Sequence, residues 1–236
     1  YVVNESVNEN NETIMYNYYT GHLHKQGKGF LGFRTFSARN ITRGISTYSA
    51  FEYDDTYYNV SLKSQGVSVT VDSLYSSFTV SGTELVNAIM PYGNKRFFPY
   101  VESSVETHYL SGTSVEKEYS YDTNGNMTLY REDYNDGSYN GTAFSDFSAN
   151  GSWLPSKPGR VISTSKHFQD SQPHSDTVNF TYNSYGKVST EVKGPVTTTC
   201  YYNNYGNPDS VRISDGLTHK TVRMEYEANN FYAWKS

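Results

Sequence analysis

The sequence predicts an all-β fold: an antiparallel sheet, repeat-built from successive β-hairpins, curved by the native right-handed twist of its strands, with little helix. Three observations lead there. Val178, Phe180 and Tyr182 alternate with Asn179, Thr181 and Asn183, and beyond a glycine Val188, Thr190 and Val192 alternate with Ser189, Glu191 and Lys193. A period of two on both sides of a turn is a hairpin with one buried face. Tyr182, Asn183, Tyr185 and Gly186 recur twenty positions later as Tyr202, Asn203, Tyr205 and Gly206, which makes the hairpin an internal repeat. Finally, tyrosine supplies 24 of 236 residues while Leu and Ala are scarce and Met appears four times, a composition that favours strands over long helices. Mean hydropathy is low at −0.69, yet the alternation persists, so the pattern is a sheet with one wet face and not disorder.

Residues 1–12 are polar and are expected to fray. A β meander is expected over 13–110. Its first strand carries Tyr16 and Tyr18 on one face, and Gly21, Gly27, Gly29 and Gly32 then break the pattern. Glycines at that density predict a tight turn followed by a strand that comes close to another backbone. Ile45–Asp54 and Tyr57–Lys63 read as a hairpin around Asp54-Asp55-Thr56, and Val67, Val69 and Val71 alternate with Ser68, Thr70 and Asp72. Phe78–Ser81, Glu84–Met90 and Phe97–Tyr109 continue the meander, with Pro91-Tyr92-Gly93-Asn94 as a turn. Thr83–Met90 is the one segment with any helical pattern, and it too is read as strand.

Repeated hairpins are expected over 111–236, in one continuous sheet with the preceding meander. The frame appears first as Tyr121-Asp122 with Gly125 and Asn126, then in the two central copies, and last as Tyr226-Glu227 with Asn230 in the glycine slot. Asn183 and Asn203 can bond to their own backbone, and Gly186 and Gly206 accept positive φ without steric cost. Units of about twenty residues cannot bury their faces alone and must stack. Tyr121 and Tyr182 stand close to three periods apart, so degenerate copies are expected between them. A loop insert is expected near 135–158, where Gly137, Gly141, Gly151, Pro155 and Pro158 gather, and a second at Gln169–Ser175.

At these residues the sequence resembles a known family. Tyr121–Met127 (YDTNGNM), Tyr182–Val188 (YNSYGKV) and Tyr201–Asn207 (YYNNYGN) resemble the Tyr-Asp-x-x-Gly-Asn/Arg unit of the RHS/YD-repeat family, of the insecticidal toxin-complex (B/C component) type. Three copies in register are specific where one is not. Tyr16–Phe33, Arg96–Tyr100 and Gly159-Arg160-Val161 are similar to further pieces of that region, so the resemblance runs from Tyr16 to Ser236. The second and third copies depart from the family in carrying Asn183 and Asn203 where it has Asp. What the resemblance implies is a strip of an RHS-type shell: hairpins wound into a hollow wall around a toxic domain located elsewhere. Family members release that cargo by self-cleavage at a terminal Asp-Pro motif, and this chain holds no Asp-Pro dipeptide. The expectation is therefore a structural role without enzyme activity or cofactor, in a fragment of a larger bacterial protein that is secreted or at the cell surface. Its export signal would lie outside the fragment. Its partners are expected to be neighbouring repeats of the full-length chain.

The remaining features bound the function. A length of 236 residues is enough for a sizeable core in one large β domain or two small ones. With 19 basic and 24 acidic residues, a net charge of −5 and no basic cluster, nucleic acid and anionic membrane are poor partners. No apolar run reaches the roughly 20 residues of a transmembrane helix. The lone Cys200 occupies the slot of Phe180 one repeat earlier and reads as a buried, inert thiol. His22 and His24 share a strand face, but no third metal ligand is fixed by spacing, so no metal site is expected. Glu52, Asp54 and Asp55 read as solvated turn residues and not as paired glycosidase carboxylates. Asn-x-Ser/Thr triplets such as those at Asn40 and Asn179 are attributed to composition.

The tyrosines admit two readings. A stripe of rings with polar tips suits a glycan or cell-surface ligand, as in an adhesin or carbohydrate-binding module. It equally suits the packed face of stacked repeats. Tyr121, Tyr182, Tyr202 and Tyr226 recur with the structural period, which favours packing.

Overall fold

The computed structural model describes residues 2–24, 27, 29–71, 76–94, 96–147, 156–227 and 233–235. All regular structure among them is strand. The chain divides into two units, Tyr1–Gly125 with Arg131–Ser138, and Asn126–Tyr130 with Tyr139–Ser236.

The first unit runs β1 (Glu5–Val7), β2 (Thr13–His24), β3 (Gly29–Asn40), β4 (Ile45–Asp54), β5 (Asn59–Val71), β6 (Ser76–Gly93), β7 (Arg96–His108) and β8 (Thr113–Tyr121). Each of these strands pairs antiparallel with the next. β9 (Met127–Tyr134) follows. The second unit continues with β10 (Tyr139–Ser145), β11 (Arg160–Lys166), β12 (His174–Tyr182), β13 (Val188–Lys193), β14 (Val196–Tyr202), β15 (Pro208–Ser214) and β16 (His219–Arg223). A separate two-stranded ladder joins β17 (Glu225–Tyr226) to β18 (Ala233–Lys235). Strands β1 to β16 form one sheet whose spatial order is the order of the chain, with β1 and β16 at its edges. The fold is thus the all-β antiparallel meander that the alternation predicts.

Several details differ from the sequence reading. The polar N-terminus does not simply fray: Glu5–Val7 pairs with Thr13–Met15. The segments expected around Val67 and Thr83 are not separate. β5 and β6 run on for 13 and 18 residues, and register shifts at Val67/Ser68 and Val86/Asn87 absorb the interruptions of the alternation.

The sizeable core that this length would allow is not formed among the described residues. No hydrophobic side chain among the described residues is fully buried, and Ser104 is the one buried polar residue. The sheet is a single layer, so each face loses only part of its exposure to its own neighbours. For the same reason Cys200 is half-buried and not sealed away.

Aromatic rings fill the space that a second layer would occupy. Tyr18 lies against Phe33 and Phe36, with centroids 4.9 and 5.2 Å away. His22 stacks on Tyr53 at 3.9 Å, and His24 meets Tyr58 edge-on at 4.0 Å. Glycines make room for such rings where a close backbone approach had been expected. At Gly66, opposite Tyr48 on the neighbouring strand, an added Cβ would stand 2.5 Å from the Tyr48 ring. At Gly21 it would meet the Phe30 ring at 3.3 Å.

In the second unit, register places Thr181, Thr190, Thr199, Arg212 and Thr221 in one cross-strand row. Thr181 and Thr190 share a hydroxyl hydrogen bond of 2.6 Å. The opposite face carries Phe180, Tyr182 and Cys200, so Cys200 and Phe180 share a face while Thr199 and Tyr201 turn away.

Candidate functional site

The residues that recur with the period assemble into tight turns. Three of the motif tyrosines end a strand at a register shift: Thr181/Tyr182, Tyr201/Tyr202 and Glu225/Tyr226. The shift aims the ring along the sheet toward the preceding unit. The following residue builds the turn. Asn183 Oδ1 accepts the N–H groups of Tyr185 and Lys187 at 3.0 and 2.9 Å, and Asn203 Oδ1 accepts those of Tyr205 and Asn207, both at 3.0 Å. Gly186 and Gly206 N–H each return to the carbonyl of the turn asparagine at 2.9 Å. Both glycines adopt positive φ, 71° and 78°, where a side chain would be strained.

In the first copy, Asp122 accepts the N–H of Asn124 at 2.8 Å, and Gly125 sits at φ 83° with its N–H on the Asp122 carbonyl. The departure from Asp to Asn in the later copies is therefore without consequence for the turn. Each supplies one side-chain oxygen as acceptor. Asn126 follows the first turn at the head of β9. Asn230, the expected glycine substitute of the last copy, lies outside the described residues.

The tyrosine hydroxyls join one unit to the one before. Tyr202 donates to the Val188 carbonyl at 2.7 Å, and Tyr226 donates to the Pro208 carbonyl at 2.7 Å. Val188 and Pro208 both stand six residues after a motif tyrosine, at the start of the return strand. Tyr182 donates to Pro158 at 2.8 Å in the same manner, which makes Lys157-Pro158 the counterpart of Lys187-Val188.

Two lysines, which the sequence reading missed, complete the device. Lys187 Nζ lies over the Tyr202 ring, 5.4 Å from its centroid, and donates to the Gly206 carbonyl. Lys157 Nζ lies over the Tyr182 ring at 5.6 Å and donates to the Gly186 carbonyl. In both, the ammonium meets a ring face and a carbonyl that the turn leaves open.

Partial burial pushes the Tyr121, Tyr182 and Tyr202 hydroxyls above their ordinary pKa, and the Cys200 thiol beside Tyr202 adds to that shift. They therefore stay protonated, as donors must. Tyr121 differs in its surroundings, packing in an aromatic group with Phe98 and Tyr100, 5.4 and 5.0 Å away.

The two central turns line one open cleft, to which the first contributes Asn183, Tyr185 and Lys187 and the second Tyr202, Asn203, Tyr205 and Gly206. Among the other candidates, Asp54 Oδ1 accepts the N–H groups of Thr56 and Tyr57, as a turn residue should, while Glu52 accepts from Asn87 at 2.9 Å and Asp55 is exposed. Tyr185 and Tyr205 are the exception among the repeat tyrosines, 76% and 75% exposed at the tips of their turns.

No protein-family model matches the chain, and no curated protein does. Solved structures do. Over 94% of this chain the fold matches the crystal structure of TcdB2-TccC3-Cdc42, with a TM-score of 0.65 at 8% identity. It matches TcdB2-TccC3 over 94% with a TM-score of 0.64, and TcdB2-TccC3 without its hypervariable C-terminal region over 97% with a TM-score of 0.66, both at 8% identity. In each case this chain spans 19% of the length of the other. The chain thus has the fold of a segment of TcdB2-TccC3, about a fifth of that chain's length.

Proposed function

We propose that these residues form a stretch of wall in the β-sheet shell of a longer, secreted or surface-located bacterial RHS/YD-repeat protein, enclosing or displaying an effector domain that lies outside them. One observation carries the reading: a sheet of sixteen strands in chain order that buries none of its described hydrophobic side chains. Such a layer suits a wall, where further strands extend both edges and contents cover one face. The likeness to TcdB2-TccC3 over about a fifth of that chain's length supports the same role. The role needs no catalytic group, and the repeat residues serve hydrogen bonds between units.

The test is made on the full-length protein. A downstream tail that follows an Asp-Pro-containing repeat terminus, and that resists protease in the whole protein but not when expressed alone, supports the shell. A tail digested at equal rates in both settings overturns it.

The adhesin reading retains Tyr185 and Tyr205, whose rings are largely exposed. Saturable binding on a glycan array, lost in the Tyr185→Ala, Tyr205→Ala double variant with strand content unchanged, would favour that reading.

A further inference from the structure

We propose that the cleft above Glu52 in the first unit is a binding site for an organic cation, specifically an alkylammonium group. The inference does not depend on the shell reading. The cleft is open to solvent, has a volume of about 480 Å³ and is lined by Glu52, Asp54, Tyr57, Asn59, Ser61 and Asn87 among others. Register builds its floor: Glu52 faces Ser61 and Asp54 faces Asn59 across the β4–β5 ladder. Asn87 reaches in from β6.

The donors on this floor are nearly all used. Asn87 Nδ2 donates to Glu52 Oε1 at 2.9 Å and to the Leu62 carbonyl at 2.7 Å, which fixes its amide orientation and occupies both N–H bonds. Asn59 Nδ2 donates to Ser61 Oγ at 2.7 Å. Asp54 Oδ1 is taken by the N–H groups of Thr56 and Tyr57 at 3.0 and 2.6 Å. Of the carboxylate, amide and aliphatic hydroxyl groups just named, one oxygen on each of Glu52 and Asp54 and the amide oxygens of Asn59 and Asn87 remain, against one N–H of Asn59 and the Ser61 hydroxyl; the Tyr57 phenol also lines the cleft.

Neither carboxylate has an ion-pair partner among the described residues. A group with donors only and a positive charge fits that surplus of acceptors, and an ammonium has three donors and no acceptor. The Tyr57 ring lines the cleft and packs on Phe97 at 4.8 Å, adding an aromatic wall suited to a cation. The half-buried floor screens the two carboxylates less than open solvent would. A bare metal ion fits less well: among the described residues no three His, Cys, Asp or Glu side chains gather to hold one.

The test is a titration of the isotope-labelled chain followed by backbone amide NMR. The probes are cadaverine and Nα-acetyl-lysine methylamide, with n-pentanol and calcium chloride as controls. The expected result is saturable shifts confined to residues 52–61 and Asn87 with an amine, and none with pentanol. Response to the lysine derivative assigns the site to a lysine side chain of a polypeptide; response to cadaverine alone assigns it to a free polyamine. Glu52→Gln keeps an acceptor for Asn87 but loses the charge, and weakens amine binding about tenfold or more, the scale of one charge-assisted hydrogen bond. Tyr57→Leu leaves both carboxylates in place and also weakens it. Pentanol binding as well as the amine, unchanged affinity in both variants, shifts located elsewhere, or calcium displacing the amine overturns the proposal.

Discussion

The hydroxyl of Tyr202 donates to the backbone carbonyl of Val188 at 2.7 Å, and through that bond one hairpin holds the return strand of the hairpin before it. The same bond recurs from Tyr182 to Pro158 and from Tyr226 to Pro208, so three phenols tie successive segments in the same way.

Replacing Tyr202 with Phe removes the donor and leaves the ring. The expected loss is about 1 kcal/mol, typical of one hydrogen bond of this kind. Tyr182→Phe should cost a similar amount, and the two losses should add, because the two hydroxyls bond to different carbonyls, those of Pro158 and Val188. Urea unfolding of the single and double variants measures this. Wild-type stability in either single variant would show that the bond contributes nothing.

At Gly206 a side chain meets two obstacles. The residue sits at φ 78°, and an added Cβ would stand 2.9 Å from Lys187 Nζ. Gly206→Val should cost about 1–2 kcal/mol from the left-handed backbone alone. The lysine, at the end of a flexible chain, should swing away and lose its carbonyl bond. Lys187→Met in the Gly206→Val background should then cost less than in the wild type, which a double-mutant cycle resolves.

Gly66 tests the ring-over-glycine packing in the first unit. Its added Cβ would come within 2.5 to 2.7 Å of the Tyr48 ring. Gly66→Ala should destabilise by about 1–3 kcal/mol, the usual cost of overpacking. The penalty should largely vanish in a Tyr48→Ala background, and an equal penalty in both backgrounds would rule the clash out.

The pH response follows from the raised tyrosine pKa values. Unfolded tyrosine ionises near its ordinary value of 10.0, whereas the partly buried Tyr121, Tyr182 and Tyr202 hold their protons to higher pH. Their contribution to stability is complete below pH 10 and is lost as pH rises through their folded values. Urea midpoints measured from pH 8 to pH 11 should fall at the alkaline end, and Tyr202→Phe should flatten the fall. On the acid side, Asp215 and Glu12 have lowered pKa values, Asp215 from backbone N–H bonds at Thr218 and Leu217, Glu12 from its bonds to Asn8 and Arg43. Asp215 is exposed and Glu12 lies at the surface half-covered by its partners, so they add only a shallow loss of stability as pH falls below the ordinary carboxylate range.

The hairpins of residues 178–207 were legible because alternation, turn chemistry and spacing all reside in contiguous residues there. The stitching lysines were not. Lys157 and Lys187 are thirty residues apart while their tyrosines, Tyr182 and Tyr202, are twenty apart, so an insert conceals the common rule. Nor could alternation reveal the missing core: Phe180 and Cys200 would alternate in the same way above a second layer as above none. The length of β6 was obscured because the shift at Val86/Asn87 resets the period in mid-strand. The Glu52 cleft escaped for a different reason, since Glu52 and Asn87 come together only through the pairing of β4, β5 and β6.

Because the sixteen strands lie side by side in the order in which they occur in the chain, each one finds its partner among residues already synthesised. Loop closure at every step spans a single hairpin, and nothing made early must wait for something made late. Such a sheet can grow from its N-terminal edge as the polypeptide emerges from the ribosome, lengthening one strand at a time.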